Sequence, residues 1–154
     1  MSTNQFSSIT TFSFQQNAYS GFLNFLRNRD YIIGRVSYCQ FINEKKPMVA
    51  FDASLRILFI NDLMKNLLEK DNLTVYGQLL SEVLPVCHNS NREEFLSPWK
   101  ELIRNGLLIG QKYNCNIEFP QGKSVPVSLT GSPLFDKRGR FVGGVVFFQT
   151  TEKI

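Results

Sequence analysis

The chain has 154 residues, a formal charge of +4, 43% hydrophobic and 19% charged side chains. That length and composition allow one domain with an extension and a sizeable core, and they exclude a disordered chain. Cations are scattered, clustering only at Lys45-Lys46 and at Lys137-Arg138 with Arg140, short of the dense basic stripe that nucleic-acid binding by the chain alone would need.

Residues 1–14 carry no charged side chain, are rich in Ser, Thr, Gln and Asn, and read as a loose tail. From 15 to 29 the apolar positions Ala18, Phe22, Phe25 and Leu26 recur at helical spacing, which predicts a short amphipathic helix. Residues 31–42 fit neither period cleanly and stay undecided between helix and strand. Glu44-Lys-Lys-Pro47 is a polar break, so the expected division is an extension over 1–46 and a folded domain over 47–154.

Within that domain, 48–54 and 55–60 predict a hairpin turning at Asp52-Ala-Ser54. Asn61 is a helix N-cap, since its side-chain oxygen can accept an orphan backbone N–H, and Leu63, Met64, Leu67 and Leu68 follow at helical spacing. Residues 77–85 read as a second short helix ended by proline. Trp99, Leu102 and Ile103 share a face of a third, which stops at Gly106 and starts either at Pro98, capped by Ser97, or earlier near Asn91 with a kink. A strand over 112–119 leads to a second hairpin, 124–130 with 140–148, whose turn is Asp136-Lys-Arg-Gly139.

The residues Phe51-Asp52, Arg56-Ile57 and Phe59-Ile60-Asn61 stand in that order before Gly77-Gln78, Gly106 and Gly122-Lys123. Pro133-Leu134-Phe135-Asp136 with Gly139 and a closing Thr151-Glu152 follow. In this order and spacing the segment from about Pro47 to Glu152 resembles a PAS domain, over roughly two thirds of the chain. The resemblance implies an α+β fold, a five-stranded antiparallel sheet with short helices on one face and an N-terminal helix. It also implies a sensory and dimerisation module, the input part of a sensor kinase of a two-component system or of a transcription regulator. Its implied partners are a second copy, a downstream effector and a small apolar ligand. The alternative is a ligand-free protein–protein interaction module.

Apolar side chains occupy both alternating sets in 142–148 and 57–60, so both faces of the sheet need cover. The short helices take one face. The other calls for the N-terminal helix, through Phe22, Phe25 and Leu26, for a second subunit, or for both. If 112–119 alternates, Tyr113, Cys115, Ile117 and Phe119 share one side. With Phe95, Trp99 and Ile103 from the third helix, and Val127 and Phe147 from the last hairpin, they would line a ligand pocket or simply pack as core.

Catalysis by this chain is not expected. His88 is the only histidine, sits in a loop-like segment, and points away from its neighbour Cys87, so the two do not make a nucleophile and base. Leu84 stands where a Cys-x-x-Cys-His haem attachment would need its first cysteine. The three cysteines Cys39, Cys87 and Cys115 suggest neither a disulfide framework nor a zinc site. By the same family resemblance, haem held by a histidine on the long helix is not expected over 92–105. A photoactive flavin adduct is not expected either: Gly77-Gln-Leu-Leu80 lacks the cysteine, and Phe147 stands at the strand glutamine position. The ligand itself is left unassigned. Gln149-Thr-Thr151 replaces the family's closing Asp-x-Thr, which puts the coupling role of that carboxylate in doubt, and the stop at Ile154 suggests an effector cut away or on another chain. No apolar run is long enough to span a bilayer and no lysine or arginine precedes Arg27, so the cytoplasm is the expected compartment and the Asn72-Leu-Thr74 sequon is idle.

Overall fold

A computed structural model describes residues 17–33, 46–87 and 98–150. Seven antiparallel strands form one sheet: β1 (Ile32–Ile33), β2 (Met48–Asp52), β3 (Ile57–Ile60), β4 (Val86–Cys87), β5 (Tyr113–Glu118), β6 (Ser124–Phe135) and β7 (Phe141–Thr150). Their order is β3-β2-β7-β6-β5-β4, with β1 paired to the far end of β6. The five long strands are those the sequence predicts; β1 and β4 are two-residue additions too short to leave a periodic signal. β1 places the start of the undecided segment in a strand, and the rest of it, 34–45, lies outside the described residues.

Both predicted hairpins form with the same local chemistry. In Asp52-Ala-Ser-Leu-Arg56 one Asp52 carboxylate oxygen accepts the N–H groups of Ser54 and Arg56, at 2.9 and 3.0 Å. In Asp136-Lys-Arg-Gly-Arg140 the Asp136 carboxylate accepts those of Arg138 and Arg140, both at 2.9 Å. The fourth residue of each turn is left-handed, Leu55 at φ 65° and Gly139 at φ 79°. Asp52 pairs with Gly143, so the two turns lie at the same end of the sheet. At Gly143 the strands approach so closely that a Cβ would lie 2.0 Å from the Phe51 carbonyl oxygen, which only glycine can allow.

The helices are α1 (Asn17–Arg29), α2 (Asp62–Leu68), α3 (Asn72–Val75), α4 (Leu80–Val83) and α5 (Pro98–Arg104), followed by a 3₁₀ turn over Leu107–Ile109. Asn61 caps α2 by accepting the Met64 N–H at 3.0 Å. α5 begins, within the described residues, at its proline. Whether residues 91–97 add an earlier turn lies outside them. The second predicted helix is shorter than its pattern, because Gly77 is left-handed at φ 82° and the next residues run extended along β3. There Gly77 donates to the Ile57 carbonyl, Ile57 to the Gln78 carbonyl and Leu80 to the Leu55 carbonyl, each at 2.8 Å. The Asn72 side chain completes this edge, donating to the Ile60 carbonyl at 3.0 Å and accepting its N–H at 2.8 Å.

Two apolar clusters, one on each face, hold the fold. The inner one joins Phe51, Ile57, Ile117, Leu129, Val146 and Phe148 of the strands to Met64, Leu68, Leu80, Trp99 and Leu107 of the helical layer. The outer one joins Met48, Ala50, Leu134, Val145 and Phe147 to Phe22, Phe25 and Leu26 of α1. Among the described residues no helix is long and apolar enough to cross a membrane.

Candidate functional site

The strand period divides the residues that the sequence assigns to one pocket. Trp99 on α5, Tyr113 and Cys115 on β5 and Val127 on β6 all face the helical layer, with Ile103 packed beside them. Phe147 does not join them: it sits opposite Thr130 and Met48 and points into the outer cluster, while its neighbour Phe148 meets Trp99 edge-on at 6.2 Å between ring centroids. The assignment of Phe147 is therefore corrected to Phe148. A strand apolar on both faces offers no periodicity from which to tell the two apart. Phe95 and His88 lie outside the described residues.

Trp99 is fully buried and its indole N–H donates to the Leu84 carbonyl at 2.7 Å, so the one polar atom of the ring is satisfied by the end of α4. Tyr113, Cys115, Ile103 and Val125 are half-buried and form the margin of the inner cluster between α5 and β5. The Tyr113 hydroxyl closes this margin by donating to the Asn105 carbonyl at the end of α5. The buried polar residues among those described are Asn61, Ser128 and Ser132, so no carboxylate, lysine, arginine or histidine is buried in the inner cluster there. Such a lining is chiefly apolar, with the Tyr113 hydroxyl and the Cys115 thiol as the polar groups at its margin. Among the described residues, too, no group of acidic, histidine and cysteine side chains could hold a metal ion.

The outer face is set by α1. Phe22 and Phe25 pack on Phe59 of β3, at 5.9 and 5.4 Å between centroids, and Tyr31 meets Phe25 edge-on at 6.0 Å. Phe22, Phe25 and Leu26, expected as the cap, are thus placed against the sheet. Lys46 lies 5.0 Å over the Phe147 ring. Ser128, on the same face between Asn114 and Gln149, is buried with its hydroxyl unpartnered. At the helix end, partial burial works against the Arg29 charge, but hydrogen bonds to Tyr76 and Tyr31 outweigh it and raise its pKa. Backbone N–H groups act oppositely on two exposed carboxylates: Arg140 lowers the pKa of Asp136, and Thr74 that of Asp71. Sequence reasoning missed Tyr76, Arg29 and the Asn72 side chain, whose partners lie far away along the chain.

An antiparallel sheet with short helices over one face and a terminal helix over the other, built around an apolar interior, is an α+β arrangement with one sheet between two apolar layers. The PAS-fold family model matches residues 42–151, and the chain belongs to that family. It is similar to a PAS domain from a two-component sensor histidine kinase, at 13% identity and a TM-score of 0.52, covering 76% of this chain and 95% of that one. A light-oxygen-voltage domain studied with a flavin analogue matches at 13% identity and a TM-score of 0.56, with coverage of 78% and 90%. The Vibrio cholerae VqmA dimer, discussed with LuxR-type receptors and solved without target DNA, matches at 15% identity and 0.52, with coverage of 79% and 52%. No curated protein matches the sequence. At these identities the solved structures show the fold alone.

Proposed function

We propose that the chain is a cytoplasmic sensory and dimerisation module, the input domain of a sensor kinase or a transcription regulator, which performs no chemistry itself. The observation that carries this reading is the pair of apolar clusters on opposite faces of one thin sheet. A change in packing around Trp99 alters the strands that also seat Phe22 and Phe25, and so biases α1. A small apolar ligand at the margin formed by Ile103, Tyr113 and Cys115 is the proposed input. Membership in the PAS fold family, and likeness to domains of a sensor kinase and of a receptor solved without its target DNA, support the class of protein.

The proposed partners are a second copy and a downstream effector. α1 already covers the apolar outer face within one chain, so the second copy would meet the module across α1 and the residues beside it. Native mass spectrometry of the purified chain, with an absorbance spectrum of the same sample, tests the reading. A dimer carrying added mass supports the sensor, and a ligand bound only by the folded state then raises thermal stability with its concentration. A second reading, a ligand-free interaction module, is favoured by the complete burial of Trp99 with its indole N–H satisfied; bare chains of unaltered mass would establish it.

A further inference from the structure

α1 lies on the outer face and α2–α4 on the inner, so the sheet separates them, yet they meet round the edge of β3. Tyr76, the residue that ends α3, stands at that edge next to the segment paired with Ile57. From the other face Arg29, the last residue of α1, donates its guanidinium to the Tyr76 hydroxyl at 2.9 Å. The same guanidinium lies 5.5 Å from the Phe25 ring centroid and 5.8 Å from that of Tyr76, so one cation is shared between a ring of α1 and a ring of the inner layer. Phe25 in turn stacks on Phe59.

α3 is the element suited to move this contact. With 4 residues it has no stability of its own and depends on the Asp71 cap, the Asn72 bonds to Ile60 and the burial of Val75. Tyr76 follows directly, so its ring goes where α3 goes. This end of α1 is also held by Tyr31, which meets the Phe25 ring and hydrogen-bonds Arg29, and by the pairing of β1 with β6. An ion pair of Asp30 with Lys137 on the β6–β7 turn, 3.5 Å long and with both side chains exposed, contributes little.

We infer that Arg29 and Tyr76 form a latch that carries changes in the position of α3 round the edge of β3 to the end of α1, by a route separate from the sheet. The latch serves the sensory reading above as its output, but it is tested without any ligand, so absence of a ligand and failure of the latch are separate results.

The test is amide hydrogen exchange on the full chain. Asp71→Ala removes the cap of α3 from an exposed position, and it should speed exchange in α3 and also, by about 3- to 10-fold, in residues 22–29, the range expected for losing one hydrogen bond. In a Tyr76→Ala background the same change should speed α3 and leave α1 as it was. Faster α3 exchange with α1 unaltered overturns the latch. So does an equal acceleration of α1 with and without Tyr76, which would route the effect through the sheet. Asn72→Ala, which removes both bonds to Ile60, repeats the comparison with a stronger perturbation of α3.

Discussion

The amide of Asn61 accepts N–H groups from Met48 and Met64, each at 3.0 Å, and donates to the Lys46 carbonyl at 2.8 Å, so the start of β2 and the start of α2 depend on one buried side chain. Its role as a cap is legible in sequence, because the partner lies three residues on. The bond to Met48 is not, since it joins residues brought together by strand pairing. Asn61→Ala loses the cap and leaves a buried N–H unpaired, and it should destabilise the fold by about 2–4 kcal/mol in urea unfolding. The exposed carboxylates make a different prediction. Asp136 and Asp71 have pKa values lowered in the folded state, so the stability they contribute is present above the unfolded carboxylate pKa and is lost as pH falls through the folded one. Asp136→Asn and Asp71→Asn should therefore flatten the acid limb of a stability–pH curve, below about pH 4, and leave its slope between pH 5 and 7 unaltered.

Among the elements, the two hairpins were the most legible, because an aspartate between apolar runs supplies both the turn and its side-chain acceptor. Residue four of each turn distinguishes them. Gly139 meets nothing within 4 Å of a notional Cβ, so Gly139→Ala should cost about 1 kcal/mol from the backbone alone. Leu55 bears similar strain but packs half-buried on the inner cluster, and the two effects are comparable: roughly 1–2 kcal/mol of strain against about 1–1.5 kcal/mol of burial. Leu55→Gly should thus shift stability by less than about 1 kcal/mol, as thermal unfolding would measure. α3 and the extended run after Gly77 were not legible. Their positions are decided by the free backbone groups of β3, and no local period records such a demand.

At the scale of the whole molecule, the sheet acts as a partition. The need for cover on both faces was readable from strands apolar in both alternating sets, and the same property hid which of Phe147 and Phe148 faces Trp99. The division yields a clear expectation, since Trp99 is the only tryptophan and reports on the inner side alone. Phe22→Ala should cost about 3–5 kcal/mol through the outer cluster, and because the same strands seat both clusters it should also shift the emission maximum of Trp99 in the folded protein. An unaltered maximum would show that the two clusters are independent and that the sheet does not couple them.

The covering of β3 by residues 72–80 also bears on how the chain behaves in a crowded solution. A bare outer strand is a template on which another chain can add its own strand, the first step towards runaway polymer growth. Here the backbone groups of Leu55, Ile57 and Ile60 are already spoken for by the Leu80 N–H, by the backbone of Gly77 and Gln78 and by one asparagine side chain. Loss of that asparagine would leave the last pair of groups open, so a lowered melting temperature should be accompanied by fibril formation at high concentration.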